Sequence, residues 1–133
     1  MILNKSALIF LMMLSGISAF GQSGAATWQS SSIKNLRNSE QRSYSCSFNI
    51  YPEDRIDWAQ DGGQLITTYQ INSTEGVLPE QGAGSVIYHI NKEGNSGTIT
   101  LERNEFDEVT LTLDQSTLSS VSAYYLFIVT RQD

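Results

Sequence analysis

A chain of 133 residues with 14 acidic against 8 basic side chains carries a net charge of −6 at neutral pH, which argues against a phosphate-backbone partner. The few Lys and Arg are scattered rather than clustered, so nucleic acid is excluded as a partner. One cysteine leaves no intramolecular disulfide, and one histidine leaves no histidine-cluster metal site.

Residues 1–21 read as a secretory signal peptide. Lys5 precedes an apolar run from Ala7 to Leu14, and the small residues Ala19 and Gly21 stand where a signal peptidase needs them. The alternative is an uncleaved anchor, but a spanning helix needs about 20 apolar residues and this run is shorter. No cysteine follows the run, so a bacterial lipid anchor lacks its attachment point. The expected mature chain is residues 22–133, a single domain without a membrane span, in an extracytoplasmic space (secreted or periplasmic) where its acidity serves solubility.

Residues 23–32 are rich in Ser, Ala and Gly around Trp28 and lead into a first strand near 27–34, with Trp28 as a core anchor or, alternatively, an exposed binding residue. Residues 35–42 are polar and predict a loop. From 44 to 50 the chain alternates, with Tyr44, Cys46, Phe48 and Ile50 on one face and Ser45, Ser47 and Asn49 on the other, which is the period of a half-buried strand. On that face Cys46 is a small core residue, a reactive or intermolecular thiol being the alternative. Pro52, Glu53 and Asp54 predict a turn, after which Ile56 and Trp58 point inward. Asp61-Gly62-Gly63 supplies the positive φ of a tight hairpin, and Leu65, Thr67, Tyr69 and Ile71 share the next inward face.

Gly76, Pro79, Gly82 and Gly84 mark 72–84 as a long connection with a short extended piece at Val77-Leu78. Asn72-Ser73-Thr74 matches a glycosylation sequon and reads by default as a turn. A strand over 85–91 sets Val86, Tyr88 and Ile90 against Ile87 and His89, and 92–97 predicts a loop. A hairpin follows: Ile99 and Leu101 face inward in one arm, Val109, Leu111 and Leu113 in the other, with Thr98, Thr100, Thr110 and Thr112 on the wet side. Phe106 sits at its exposed tip. After a polar connection at 116–122, the strand 123–131 is apolar on both faces, Tyr124, Leu126 and Ile128 against Tyr125, Phe127 and Val129, so its outer face predicts a covering element or a partner.

About eight short strands with no competing helical period define an all-β fold, an antiparallel up-and-down meander forming a barrel or barrel-like sandwich. The layout resembles the small secreted lipocalin-like, or calycin-like, barrels. The resemblance rests on the first-strand Trp in ATWQSSSIK, the Thr-rich hairpin GTITLERNEFDEVTLTL and the aromatic closing strand YYLFIVTR with its terminal basic residue. Ala26 stands where lipocalins carry a Gly two residues before the Trp. The resemblance implies a barrel closed by its first and last strands, with an interior able to hold an apolar ligand.

No catalytic or cofactor motif stands out. A catalytic triad would have to be built on His89, and no suitably placed serine or activated cysteine accompanies it. Glu53, Asp54, Asp57 and Asp61 gather near one turn, and Glu102, Glu105, Asp107 and Glu108 near another, but neither run has the spacing of a calcium loop, and solvated turns account for both. The reading is therefore a non-enzymatic binding protein for a small apolar ligand, lined by Tyr44, Phe48, Trp58, Tyr69, Tyr88, Tyr125 and Phe127. The alternative is an interaction or inhibitor module that meets a protein partner through 72–84, 92–97 or the last strand. Mass spectrometry of the exported protein is expected to show loss of the first 21 residues and a new start at Gln22; a full-length, membrane-retained product would contradict this.

Overall fold

A computed structural model describes residues 25–115 and 123–132. The leader at 1–21, the start at Gln22 and the connection at 116–122 lie outside the described residues. The described chain forms β1 (Ala26–Asn35), β2 (Gln41–Tyr51), β3 (Arg55–Gln60), β4 (Leu65–Gly76), β5 (Gly84–Lys92), β6 (Asn95–Arg103), β7 (Val109–Gln115) and β8 (Ala123–Gln132). Each strand pairs antiparallel with its neighbour in sequence, and β8 pairs back onto β1, so the sheet closes into a barrel. The only helical piece among the described residues is a single 3-10 turn at Asp61–Gly63, where φ values of 53°, 66° and 91° reverse the chain between β3 and β4.

The alternation places the expected side chains inside. Phe48, Ile50, Ile56, Trp58, Tyr69, Val86, Ile90, Ile99, Leu101, Val109, Leu111, Leu113, Phe127 and Val129 are buried together. An eight-stranded barrel is just wide enough for side chains to fill. Phe48 and Trp58 stack with centroids 5.6 Å apart and planes within 6°, and Phe127 meets both rings edge-on at 4.9 and 5.6 Å.

Three stretches differ from the sequence expectation. Residues 72–76 belong to β4 rather than to a loop: the register slips between Ile71 and Ser73, which turns Thr74 inward and hides the alternation. Residues 95–97 belong to β6, because the reversal is confined to Glu93 and Gly94, at φ 54° and 84°. Leu65 stands at the rim opposite Gln60 and is 54% exposed, because the packed core does not reach that far. A second slip, in β1 between Ser30 and Ser32, turns Ile33 inward; there the buried Ser30 hydroxyl donates to the Ser32 carbonyl at 2.8 Å. On β8 the outward residues Tyr124 and Ile128 are 39% and 57% exposed.

Phe48→Ala is expected to destabilise the fold by about 3–5 kcal/mol, since a fully buried ring leaves a cavity in a closed interior. Ile128→Ser, on the outer face, is expected to change stability by no more than about 0.5 kcal/mol. Urea unfolding of the two variants measures both, and equal effects would mean that the inward face is misassigned.

Candidate ligand-binding site

One end of the barrel is formed by the start of β1, the β2–β3 turn, the β4–β5 connection and the end of β8. A cleft of about 350 Å³ opens there, with Trp28, Ile50, Val86, Tyr88 and Leu101 as its floor and Pro52, Glu53, Thr74, Gly76, Val77 and Leu78 along its lip. It exists because several inward positions at this end are small: Ala26, Thr74 and Gly76 line space where bulkier residues would fill it. Arg131 completes the lining. It faces Trp28 across the β1–β8 ladder, and its guanidinium lies 5.8 Å from the Trp28 ring centroid, a cation–π contact.

The lip is held in place by backbone fit. Gly76 has φ 80°, and a Cβ there would lie 2.6 Å from the Ser85 carbonyl oxygen. A Cβ on Gly84 would lie 2.6 Å from Pro79 Cδ, so the 77–83 connection folds directly over that glycine. Arg103 Nε donates to the Pro79 carbonyl at 2.9 Å, and the Gly82 amide donates to Asp107 Oδ1 at 2.9 Å. These bonds tie the lip to the β6–β7 hairpin. Val77 therefore stands out at the cleft mouth, 81% exposed.

The seven rings singled out from sequence are divided between two places. Phe48, Trp58, Tyr125 and Phe127 pack on one another as a single cluster. Tyr44 and Tyr69 lie close enough to Tyr125 to sense its charge, and the Tyr44 hydroxyl donates to the Gln60 side-chain oxygen. Of the seven, only Tyr88 lines this cleft. Tyr125 also borders a smaller hollow of about 230 Å³ at the opposite end, with Ile33, Asn35, Glu40 and Arg42. The sequence reading passed over Val86, Leu101 and Arg131 as cleft residues; the available signal was the Gly- and Pro-rich stretch carrying Val77 and Leu78.

Burial shifts several acids in this interior upward. Tyr88 is raised by desolvation, as is Tyr44, where the neighbouring Cys46 adds to the effect. The Cys46 thiol is likewise pushed up by burial, which disfavours the thiolate a nucleophile needs. The Trp58 Nε1–H itself is buried without a hydrogen-bond acceptor. Outside the barrel, His89 meets the Glu75 carboxylate across the β4–β5 ladder. The acidic residues near the β2–β3 turn are separated. Arg55 takes Asp54 at 2.8 Å and Asp57 at 3.3 Å, Asp57 also accepts from Thr68 at 2.9 Å, and Asp61 lies beyond the far end of β3. Among the described residues no three His, Cys, Asp or Glu side chains converge to hold a metal ion. Nor is any described helix long and apolar enough to cross a membrane, which says nothing about strands.

No protein-family model, curated protein sequence or solved structure matches the chain.

Tyr69 provides a pH test of the closed interior. Burial, with a smaller effect from Tyr125, pushes its pKa from 10.0 up to about 12. A folded-state pKa above the unfolded one stabilises the fold fully below pH 10, and the contribution is lost as pH rises toward 12. Stability is therefore expected to fall across that window and to fall less in Tyr69→Phe. Urea midpoints measured from pH 9 to 12 check this, and parallel curves for the two proteins would contradict it.

Proposed function

We propose that this protein is a non-catalytic, extracytoplasmic binding protein that holds a small apolar molecule in the cleft at the mouth of its barrel. The observation that carries the reading is the cleft itself, about 350 Å³ with a floor of Trp28, Ile50, Val86, Tyr88 and Leu101, within the size and chemistry of small-ligand sites. The leader-like residues 1–21 support the compartment. The non-catalytic part of the reading is supported by Cys46, whose burial pushes its thiol up and disfavours the thiolate a nucleophile needs. A second reading, a protein-interaction module, is favoured by the exposed Tyr124 and Ile128 on the outer face of β8. The loops first considered for that role are shorter than expected, since 72–76 and 95–97 lie in strands.

Thermal unfolding of the mature chain tests the first reading. A ligand that binds only the folded state raises the midpoint, by about 2.7 kcal/mol of stabilisation at a hundredfold excess over its dissociation constant. A panel of alkyl acids, alcohols, amines and small aromatics is expected to include compounds that raise the midpoint by several degrees. Val77→Asp is expected to abolish the shift while leaving the ligand-free midpoint nearly unchanged, because Val77 is already 81% exposed. A flat response across the panel would refute the ligand reading and turn attention to Tyr124 and Ile128.

A further inference from the structure

We propose that the cleft selects an amphiphile with a single anionic head, and that Arg131 is the residue that receives the head. The inference rests on the ligand reading above and names its class of ligand. Along β8 the side chains of Phe127 and Val129 are buried in the barrel, and Arg131 continues that alternation to the cleft wall. Arg131 is itself exposed, so its N–H donors face water at the wall of an otherwise apolar mouth and are open to an incoming acceptor. Its recorded contact is with the ring of Trp28, which uses none of those donors. Among the described residues no hydrogen bond or ion pair is formed by Arg131, in contrast to the two other arginines at this end. Arg55 is taken up by Asp54 and Asp57, and Arg103 by the carbonyls of Pro79 and Asp107. A carboxylate or similar oxyanion fits the planar donor fork of Arg131, while its tail lies along Trp28, Val86 and Leu101.

The surroundings sharpen the selectivity. Glu53 also lines the cleft, and Glu80, Glu105, Asp107 and Glu108 stand on loops at the same end. A small free anion meets that acidic field with nothing to offset it, whereas an apolar tail supplies the missing affinity by leaving water. The cleft therefore favours anions that carry a tail over anions alone. An amine head would reverse the roles of Arg131 and Glu53.

Isothermal titration of the mature chain with decanoate, decan-1-ol, decylamine and acetate at neutral pH and low salt tests this. Decanoate is expected to bind tightest and acetate not measurably. Arg131→Gln is expected to weaken decanoate by about tenfold while leaving decan-1-ol within about twofold, the loss of one charge-assisted contact. Glu53→Gln is expected to strengthen decanoate. The alcohol serves as the folding control, since a variant that keeps its alcohol affinity has kept its cleft. Equal binding of decanoate and decan-1-ol, or equal weakening of both by Arg131→Gln, would overturn the role of Arg131 while the cleft reading stood. Failure of all three ten-carbon probes to bind would defeat the cleft reading itself.

Discussion

Closure of the sheet between β1 and β8 is the constraint on which the rest of this molecule depends. With that seam made, the described sheet has no free edge to cover, and its eight strands enclose an interior whose width is set by strand number rather than by the side chains within it. Trp28 stands at the seam. Phe48 flanks it on β2 and Arg131 on β8, so one indole ring both joins the core and forms the floor of the cleft. Nearby, β1 slips in register between Ser30 and Ser32, and the Ser30 hydroxyl donates to the Ser32 carbonyl and accepts from the Ser32 amide.

A fixed interior must be filled or left open, and this barrel does both. The stacked Phe48 and Trp58, with Phe127 against their edges, fill the middle, and Tyr125 extends the cluster toward the end where β8 begins. At the other end the inward positions Ala26, Thr74 and Gly76 are too small to meet across the barrel, and the cleft is the space they leave. Gly76 and Gly84 cannot be enlarged without moving backbone or Pro79, so the small residues that open the cleft also bring its lip into place. The lip is thus fixed by the fold itself.

Most of the fold was legible because period-two alternation is a direct record of which face is buried. Phe48, Ile56, Trp58, Ile99 and Leu111 were all placed inward by that rule and are buried. The rule failed where the ladder slips. Past Ile71 one extra residue changes the phase, so Thr74 and Gly76 occupy inward positions in a stretch that reads as polar loop. It failed again at 92–97, where a two-residue reversal is enough and the remaining polar residues are simply strand. The site was less legible for a different reason. Large inward rings were chosen as a ligand lining, but large rings in a narrow barrel find each other, and Tyr88 alone of the seven ended beside this cleft. In a barrel of this width the better guide to a cavity is a set of small inward residues close to one end, and these become visible only once the register is known.

The division of the interior also separates a filled part from an open one. The filled part carries the costs of burial: a Trp58 Nε1–H without an acceptor, a thiol at Cys46 held away from its ionised form, and Tyr69 held neutral well past its ordinary pKa. Tight aromatic packing offsets those penalties there. The open end contributes less packing only at its lip, where Val77 is 81% exposed, because the floor residues Trp28, Ile50, Val86 and Leu101 belong to the core as well. Arg131 is where the two parts meet. Its neighbour Val129 belongs to the core and its ring partner Trp28 to the closing seam, yet its guanidinium faces the cleft. A charge so placed is positioned by the same contacts that close the barrel.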